Sequence, residues 1–207
     1  MADSKKIVEI LQAMSARIEQ DKDYLTELDQ PIGDSDHGIN MARGFAAVAQ
    51  KLPSVADKDI GTILKTVGMT LVSTVGGASG PLYGTAFLKA GMACAGKTEL
   101  DMPGFLAAMD AAVAGVQARG HAVPEEATML DAMIPAQQAM QAAAAAGKPT
   151  CAVLDAGVAA AQAGAEHTKG LVATKGRASY VGERGIGHQD PGATSFADLL
   201  KTIAAAF

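Results

Sequence analysis

The chain reads SKKIVEILQAMSARI over residues 4–18, near its amino end. The large apolar side chains of this stretch recur three or four positions apart, at Ile7, Leu11, Met14 and Ile18. Such spacing puts them on one face of an α-helix, and a serine at residue 4 can cap the first turn. The stretch therefore predicts an amphipathic helix whose apolar face packs against a core.

The same helical spacing recurs along the chain, whereas strand signals are scarce. Ala and Met are common, and short alternations of β-branched or aromatic residues bounded by turns are almost absent. We therefore predict an all-α fold with eight helices. The seven that follow the first are expected to begin near His37, behind Asp57 to Asp59, after Pro81, at Pro103, at Thr128, at Thr150 and at Ser195. Pro135 falls inside the sixth helix, which it should kink or split.

The composition, with 49% hydrophobic residues, fits one domain over residues 1–207. A net charge of -5 without a Lys/Arg cluster excludes nucleic acid as a main partner. Because there is neither an apolar run of about eighteen residues nor a signal-peptide pattern, we expect a cytoplasmic protein with no membrane partner. Cys94 and Cys151 stand in Ala-rich surroundings and are expected to be buried small residues without chemistry.

Three aspartates crowd the segment DQPIGDSDHGIN, residues 29–40: Asp29, Asp34 and Asp36. Glycine and proline make this segment a turn rather than a helix interior. Carboxylates this close repel one another, and a hard divalent cation relieves that repulsion. Ligands that are all oxygen favour Mg²⁺ or Ca²⁺ over zinc, so the segment predicts a metal site.

The aspartate segment has two other interpretations, an EF-hand loop and a helix cap with solvated turn residues. An EF-hand loop counted from Asp34 needs Gly at its sixth position and Glu at its twelfth, but these are Ile39 and Phe45, which excludes an EF-hand. Alternatively, one aspartate caps the helix that starts near His37 while the others are solvated turn residues.

Two glycine-rich segments further along the chain suit anion binding. GGASGPLYG at residues 76–84 lies before a predicted helix, where converging N–H groups, the helix dipole and Ser79 can bind a phosphate. Residues 170–194 hold six glycines and two arginines without a helical period, which is typical of a lid or ligand-binding loop. A tight helical hairpin would use similar residues at 76–84.

Residues 91–98, GMACAGKT, match the phosphate-loop pattern G-x-x-x-x-G-K-[ST]. That loop must follow a strand and open a helix, but here it follows a helical pattern and Gly96 resembles a helix stop. We therefore reject a P-loop at this position.

The motifs GDSDHGINMARGF, GGASGPLYGT, TMLD and KGRASYVGERGIGHQDPGATS resemble the L-subunit family of dihydroxyacetone kinases. The resemblance covers residues 24–196. It implies an antiparallel eight-helix barrel with a nucleotide site at one end, which agrees with the independent count of helices.

The resemblance also implies the ligands of that site. Two Mg²⁺ ions would be held by Asp29, Asp34 and Asp36, which are the catalytic and metal-binding residues. The nucleotide, ADP or ATP, would contact His37, Gly38, Ile39, Asn40, Ala78, Ser79, Gly120, Met129, Arg177, Asp190, Pro191 and Gly192. Met129 is expected to pack on the base, and Arg177 is a better match than Arg184 for the phosphates.

By the same resemblance, ADP is a tightly held coenzyme. A phosphohistidine-carrying subunit of the phosphotransferase system rephosphorylates it, and the ATP then phosphorylates dihydroxyacetone held by a separate K subunit. Two alternatives are an L-type subunit of an ATP-exchanging kinase for another small acceptor and a non-catalytic nucleotide-sensing module. This sequence departs from the family at His121 and Ala127, where a lysine is common, and His167 is expected at the surface.

Overall fold

The computed structural model describes residues 1–207 and contains eight α-helices. They are α1 (Ser4–Asp29), α2 (His37–Lys51), α3 (Ile60–Thr74), α4 (Ser79–Ala93), α5 (Met102–Gly120), α6 (Leu130–Ala145), α7 (Thr150–His167) and α8 (Pro191–Ala204). Four short 3-10 helices add to these: Leu52–Ser54, Thr168–Gly170, Arg177–Tyr180 and Gly182–Gly185. The only sheet pairs β1 (Ala2–Asp3) with β2 (Glu99–Leu100), antiparallel. The predicted all-α class and the number of helices are confirmed.

The chain divides into two compact units. The first unit comprises Met1–Glu19 and Asn40–Gly120, and the second comprises Gln20–Ile39 and His121–Phe207. Helices α3, α4 and α5 therefore belong to the first unit, and α6, α7 and α8 to the second. That the whole chain is a single domain stays a prediction.

In the first unit, α4 packs against both α3 and α5. Small residues let α3 and α4 approach closely: a Cβ added to Gly68 would lie 2.7 Å from the Gly84 carbonyl oxygen. Asp59 caps α3, because its Oδ1 accepts hydrogen bonds from the Thr62 N–H at 3.1 Å and the Gly96 N–H at 3.0 Å. The cap thus ties the start of α3 to the turn after α4.

In the second unit, α7 packs against α6 and α8. A Cβ added to Gly164 of α7 would lie 2.1 Å from the carbonyl oxygen of Asp131, so the two backbones touch where α6 begins. Asp190 caps α8 by accepting a hydrogen bond from the Ala193 N–H at 2.7 Å. This unit also contains most of the residues predicted to bind metal and nucleotide.

Three predicted helix starts were wrong, those of the fourth, eighth and sixth helices. The fourth helix begins at Ser79 instead of after Pro81. Pro81 is tolerated in the first turn, where its missing N–H would have no helical partner. The eighth begins at Pro191 instead of Ser195, since Asp190 caps it four residues earlier than predicted.

The sixth helix begins at Leu130 instead of Thr128, because the Thr128 N–H donates to the side chain of Asp131. Pro135 does not split this helix, which runs unbroken to Ala145.

The rejected P-loop segment has the wrong surroundings for that motif. Helix α4 ends at Ala93, Gly96 adopts a φ of +73°, and strand β2 follows the segment instead of preceding it. Cys94 is buried as predicted, but Cys151 is exposed in the first turn of α7, so that prediction was wrong. No helix has both the length and the apolar character needed to cross a membrane. The cytoplasmic location stays a prediction.

Candidate functional site

The second unit brings the three predicted metal ligands together. Asp29 is the last residue of α1, and Asp34 and Asp36 lie in the turn before α2. One carboxylate oxygen from each lies within 4.8 Å of the other two. Oxygens bound to one Mg²⁺ are about 3 to 4 Å apart, because each lies about 2.1 Å from the ion. The cluster is therefore close to the spacing that a shared cation requires.

The turn is folded around the buried carboxylate of Asp29. Its Oδ2 accepts hydrogen bonds from the Asp36 N–H at 2.9 Å and the His37 N–H at 3.2 Å. The backbone oxygen of Asp29 accepts another from the Gly33 N–H at 2.6 Å. Ser35 adopts a φ of +59°, a left-handed conformation that is uncommon outside glycine. Asp29 thus fixes both the path of the turn and the start of α2.

Space beside the second oxygen of Asp29 is kept free by a glycine. A Cβ on Gly33 would lie 1.9 Å from Asp29 Oδ1, so no other residue fits there without moving the carboxylate. A Cβ on Gly38 would lie 2.0 Å from the Lys22 carbonyl oxygen, so the first turn of α2 packs directly on α1. An all-oxygen set with a free oxygen on its most buried member fits Mg²⁺.

His37 lies in the interior, with 6% of its surface exposed, and its Nε2 is 3.0 Å from Ser195 Oγ. The Ser195 hydroxyl donates to the Gly192 carbonyl oxygen at 3.1 Å, so His37 Nε2 acts as the donor to Ser195. Burial lowers the pKa of His37 to about 4, although the charge of Asp29 acts in the opposite direction. The imidazole is therefore neutral at pH 7, and it links α2 to α8.

Arg177 brings a positive charge to the aspartate cluster. It begins the 3-10 helix Arg177–Tyr180, and its Nη2 lies 2.9 Å from Asp34 Oδ2. Both side chains are exposed, so the pair contributes little stability. The guanidinium presents the planar donor set that suits a phosphate.

Other predicted nucleotide contacts of the second unit lie next to one another. A Cβ added to Gly192 would be 3.5 Å from Met129 Cβ, so the start of α8 adjoins the residue before α6. Pro191 occupies the first helical position of α8. Burial raises the pKa of Asp190 to about 7, together with the nearby charges of Asp131 and Asp29 and against the hydrogen bond from the Ala193 N–H, which lowers it.

The remaining predicted contacts belong to the first unit: Asn40, Ala78, Ser79 and Gly120. A Cβ added to Gly76 would lie 2.9 Å from Asn40 Oδ1, so the glycine-rich turn before α4 adjoins Asn40. Asn40 Oδ1 also accepts a hydrogen bond from Arg43. A Cβ on Gly120 would lie 3.2 Å from Leu82 Cδ2, so the end of α5 contacts α4.

Two residues of the second unit that lie near the predicted contacts were not identified from the sequence, Ser195 and Asp131. Asp131 is 5% exposed, and its carboxylate accepts hydrogen bonds from the Glu125 N–H at 2.6 Å and the Thr128 N–H at 2.7 Å. An acidic residue in the first turn of a predicted helix is a recognisable signal. His121, which replaces a common lysine, is exposed with a φ of +50°, and His167 is at the surface as predicted, 3.0 Å from Glu125.

A family model described as the DAK2 domain matches residues 31–205. The chain belongs to the DAK2 domain family. This DAK2 domain is 46% identical over 186 residues to "PEP-dependent dihydroxyacetone kinase, ADP-binding subunit DhaL" of Escherichia coli K12, which covers 90% of this chain and 89% of that protein. It is 41% identical over 196 residues to "PTS-dependent dihydroxyacetone kinase, ADP-binding subunit DhaL" of Lactococcus lactis, which covers 95% of this chain and 94% of that protein.

A solved structure has the same fold as this DAK2 domain. It is the dihydroxyacetone kinase of C. freundii in complex with AMP-PNP and Mg²⁺, with a TM-score of 0.76 and 26% sequence identity. The match covers 97% of this chain and 33% of the C. freundii chain, so this DAK2 domain spans about a third of that kinase. The predicted fold class and the resemblance to the L-subunit family are confirmed.

Proposed function

We propose that this chain is the ADP/ATP-binding subunit of a phosphoenolpyruvate-dependent dihydroxyacetone kinase. The observation that carries the proposal is the cluster of Asp29, Asp34 and Asp36, whose oxygens lie within 4.8 Å of one another. Two relatives support the proposal, because the E. coli and L. lactis proteins are named as ADP-binding subunits of such kinases. The same names give no support to a kinase for another acceptor or to a non-catalytic module.

Charge balance supports two Mg²⁺ ions at the aspartate cluster. The three carboxylates and the diphosphate of ADP each carry about three negative charges, which two divalent ions largely offset. When bound, the ions neutralise the charge that develops on the phosphoryl oxygens during transfer. Asp29 is held by two backbone N–H groups, so its position does not depend on the ions.

The phosphates would be bound by a positively charged side chain and by the N-terminus of a helix. Arg177 is assigned to the phosphates because its guanidinium already lies at Asp34. In the first unit, Ala78 and Ser79 stand at the N-terminus of α4, where the positive end of the helix dipole favours an anion. Asn40 adjoins the same turn and is assigned to the nucleotide with it.

The base would contact residues that have little charge. Met129 and Gly192 adjoin one another in the second unit, and a thioether suits the face of an adenine ring. Gly120, Asp190 and Pro191 are assigned to the nucleotide on their match to the family motifs. Neutral His37, with Gly38 and Ile39, forms the first turn of α2 next to the metal ligands and is assigned to positioning the nucleotide there.

The proposed reaction needs two partners. A phosphohistidine-carrying phosphotransferase subunit would phosphorylate the bound ADP, and a K subunit would hold the dihydroxyacetone that receives the phosphoryl group from ATP. The chain itself would supply orientation and charge neutralisation, which are the main needs of phosphoryl transfer.

Native mass spectrometry of the freshly purified protein tests the binding part of this proposal. The expected mass increment is that of one ADP with two magnesium ions. Activity is tested by adding the chain to the other subunits and measuring phosphoenolpyruvate-dependent phosphorylation of dihydroxyacetone. Asp34→Asn should lose most activity, whereas Asp57→Asn, at an aspartate whose side chain is 74% exposed in another turn, should keep it. Equal activity of the two variants would refute the metal assignment.

A further inference from the structure

We infer that Asp131 is a positioning residue that holds the segment of residues 121–129 in the conformation that receives the adenine base. The inference rests on the proposed function, in which Met129 packs on that base. Asp131 itself does not contact the nucleotide in this account. It acts through the backbone of the segment that ends in Met129.

Asp131 makes two hydrogen bonds that only a carboxylate can make together. It is the second residue of α6 and is 5% exposed. One oxygen accepts from the Glu125 N–H at 2.6 Å and the other from the Thr128 N–H at 2.7 Å. An amide has a single acceptor oxygen, so an asparagine at this position would leave one N–H facing another donor.

Those two N–H groups bracket the part of the segment with an unfavourable backbone. Glu125 has a φ of +70° and Ala127 a φ of +53°, both in the left-handed region that residues other than glycine rarely adopt. Such conformations persist only where the surrounding structure imposes them. Asp131 binds the N–H of Glu125 itself and that of Thr128, directly after Ala127. Its carboxylate therefore opposes relaxation of both residues.

The held segment ends at the residue assigned to the base. Met129 directly follows Thr128 and lies against Gly192. Glu126, between the two left-handed residues, accepts a hydrogen bond from the Thr174 hydroxyl at 2.6 Å, which also holds the segment. If the segment relaxed, Met129 would lose its place beside Gly192, and the contact with the base would be lost with it.

Asp59 provides a matched comparison within the same chain. Like Asp131, it accepts hydrogen bonds from two backbone N–H groups, those of Thr62 and Gly96, and it stabilises a helix start and a turn. Its other oxygen accepts a hydrogen bond from the Thr62 hydroxyl, so each of its two oxygens is also used. None of the residues assigned to metal or nucleotide takes part in those bonds. If Asp131 has only a structural role, substitution of either aspartate should lower the Tm without a specific loss of ADP binding. If Asp131 is a positioning residue, only its substitution should weaken ADP binding.

The test compares Asp131→Asn with Asp59→Asn by calorimetric titration with ADP and with inorganic pyrophosphate, both in excess Mg²⁺. If the segment is correctly ordered in only about a tenth of Asp131→Asn molecules, the Kd for ADP rises about tenfold. Pyrophosphate lacks a base, so its Kd should change by less than about twofold under the same population argument. Asp59→Asn should lower the Tm and leave both Kd values unchanged.

A rescue variant separates backbone strain from loss of charge. Glycine adopts the left-handed region readily, so Ala127→Gly in the Asp131→Asn background should recover part of the affinity for ADP. If Asp131→Asn does not fold, Asp131→Glu makes the same test, because its longer side chain keeps the charge but not the two bond lengths. Unchanged ADP binding, or equal loss of ADP and pyrophosphate, would overturn the inference. Wild-type protein that binds pyrophosphate but not ADP would refute the proposed function itself.

Discussion

Gly33→Ala is expected to damage the candidate metal site without removing any of its ligands. The added methyl carbon would lie 1.9 Å from Asp29 Oδ1 and 2.6 Å from Asp29 Cγ. Atoms this close repel strongly, so the carboxylate must retreat by on the order of 1.5 Å to reach an ordinary contact distance. Because Gly33 does not have a positive φ, the effect would come from the methyl group and not from backbone strain.

Displacement of the Asp29 carboxylate weakens the hydrogen bonds that it accepts. Its Oδ2 holds the Asp36 N–H at 2.9 Å and the His37 N–H at 3.2 Å, and both bonds lengthen or break when the group moves. Hydrogen bonds to a charged group contribute about 1.5 to 3 kcal/mol each. A misplacement of about 1 Å in a positioned group can reduce function about 100-fold. We therefore expect the Kd for ADP with Mg²⁺ to rise about 100-fold, or about 2.7 kcal/mol.

Isothermal titration of metal-stripped protein with ADP, at saturating and at zero Mg²⁺, measures this effect. The loss should appear only with Mg²⁺ present, because Asp29 is assigned to the metal. Gly170→Ala is the matched control: a Cβ at Gly170 meets no atom within 4 Å, so its Kd and Tm should match wild type. If Gly33→Ala binds ADP within about threefold of wild type, the reasoning from the Asp29 contact is wrong.

Three further results are expected. Arg177→Ala should weaken ADP binding about tenfold in the same titration, whereas Arg184→Ala should change it little. Gly38→Ala should lower the free energy of unfolding in urea by more than about 3 kcal/mol, since its Cβ would lie 2.0 Å from the Lys22 carbonyl oxygen. In the Asp190→Asn variant, stability should rise by up to about 3 kcal/mol between pH 4 and 6.5, while wild type stays flatter; a flat profile in the variant would contradict the assignment.

The sign of this pH dependence follows from two opposite shifts. His37 has a folded-state pKa lowered from 6.5 to about 4, so between these values the unfolded chain binds more protons and stability rises with pH. Asp190 has a folded-state pKa raised from 3.8 to about 7, so in that window the folded chain binds more protons and stability falls with pH. In wild type the two effects oppose each other, and Asp190→Asn leaves only the first. Urea unfolding at several pH values without Mg²⁺ measures the difference.

The helices could be predicted from the sequence because their apolar spacing is a local property. The first residue of each helix was harder to predict, because it depends on which side chain accepts hydrogen bonds from the first N–H groups of the helix. Asp190 caps α8, which begins at Pro191, four residues before the predicted start at Ser195, and Asp131 keeps Thr128 outside α6. Each side chain accepts a hydrogen bond from an N–H three positions away, which a search for apolar periodicity does not detect.

The aspartate cluster was also predictable, because Asp29, Asp34 and Asp36 lie within one short turn and their repulsion is evident from spacing alone. Ser195 could not be linked to His37 in this way, since 158 positions separate them and only the fold brings them to 3.0 Å. The exposure of Cys151 was missed for a related reason. An Ala-rich helix has no clear apolar face, so periodicity does not say which side is buried.

Backbone conformation gives independent support for where function lies in the second unit. Only four residues other than glycine have a positive φ: Ser35, His121, Glu125 and Ala127. Ser35 stands between two aspartates of the cluster, and the others belong to the segment that leads to Met129. Strain of about 1 to 3 kcal/mol per residue is retained where geometry matters more than stability.

If Ser35→Gly and Ala127→Gly both raise the Tm while Ser35→Gly weakens Mg²⁺ binding, that interpretation holds. A stability gain with no loss of affinity at Ser35 would show that the strain there serves no purpose in binding.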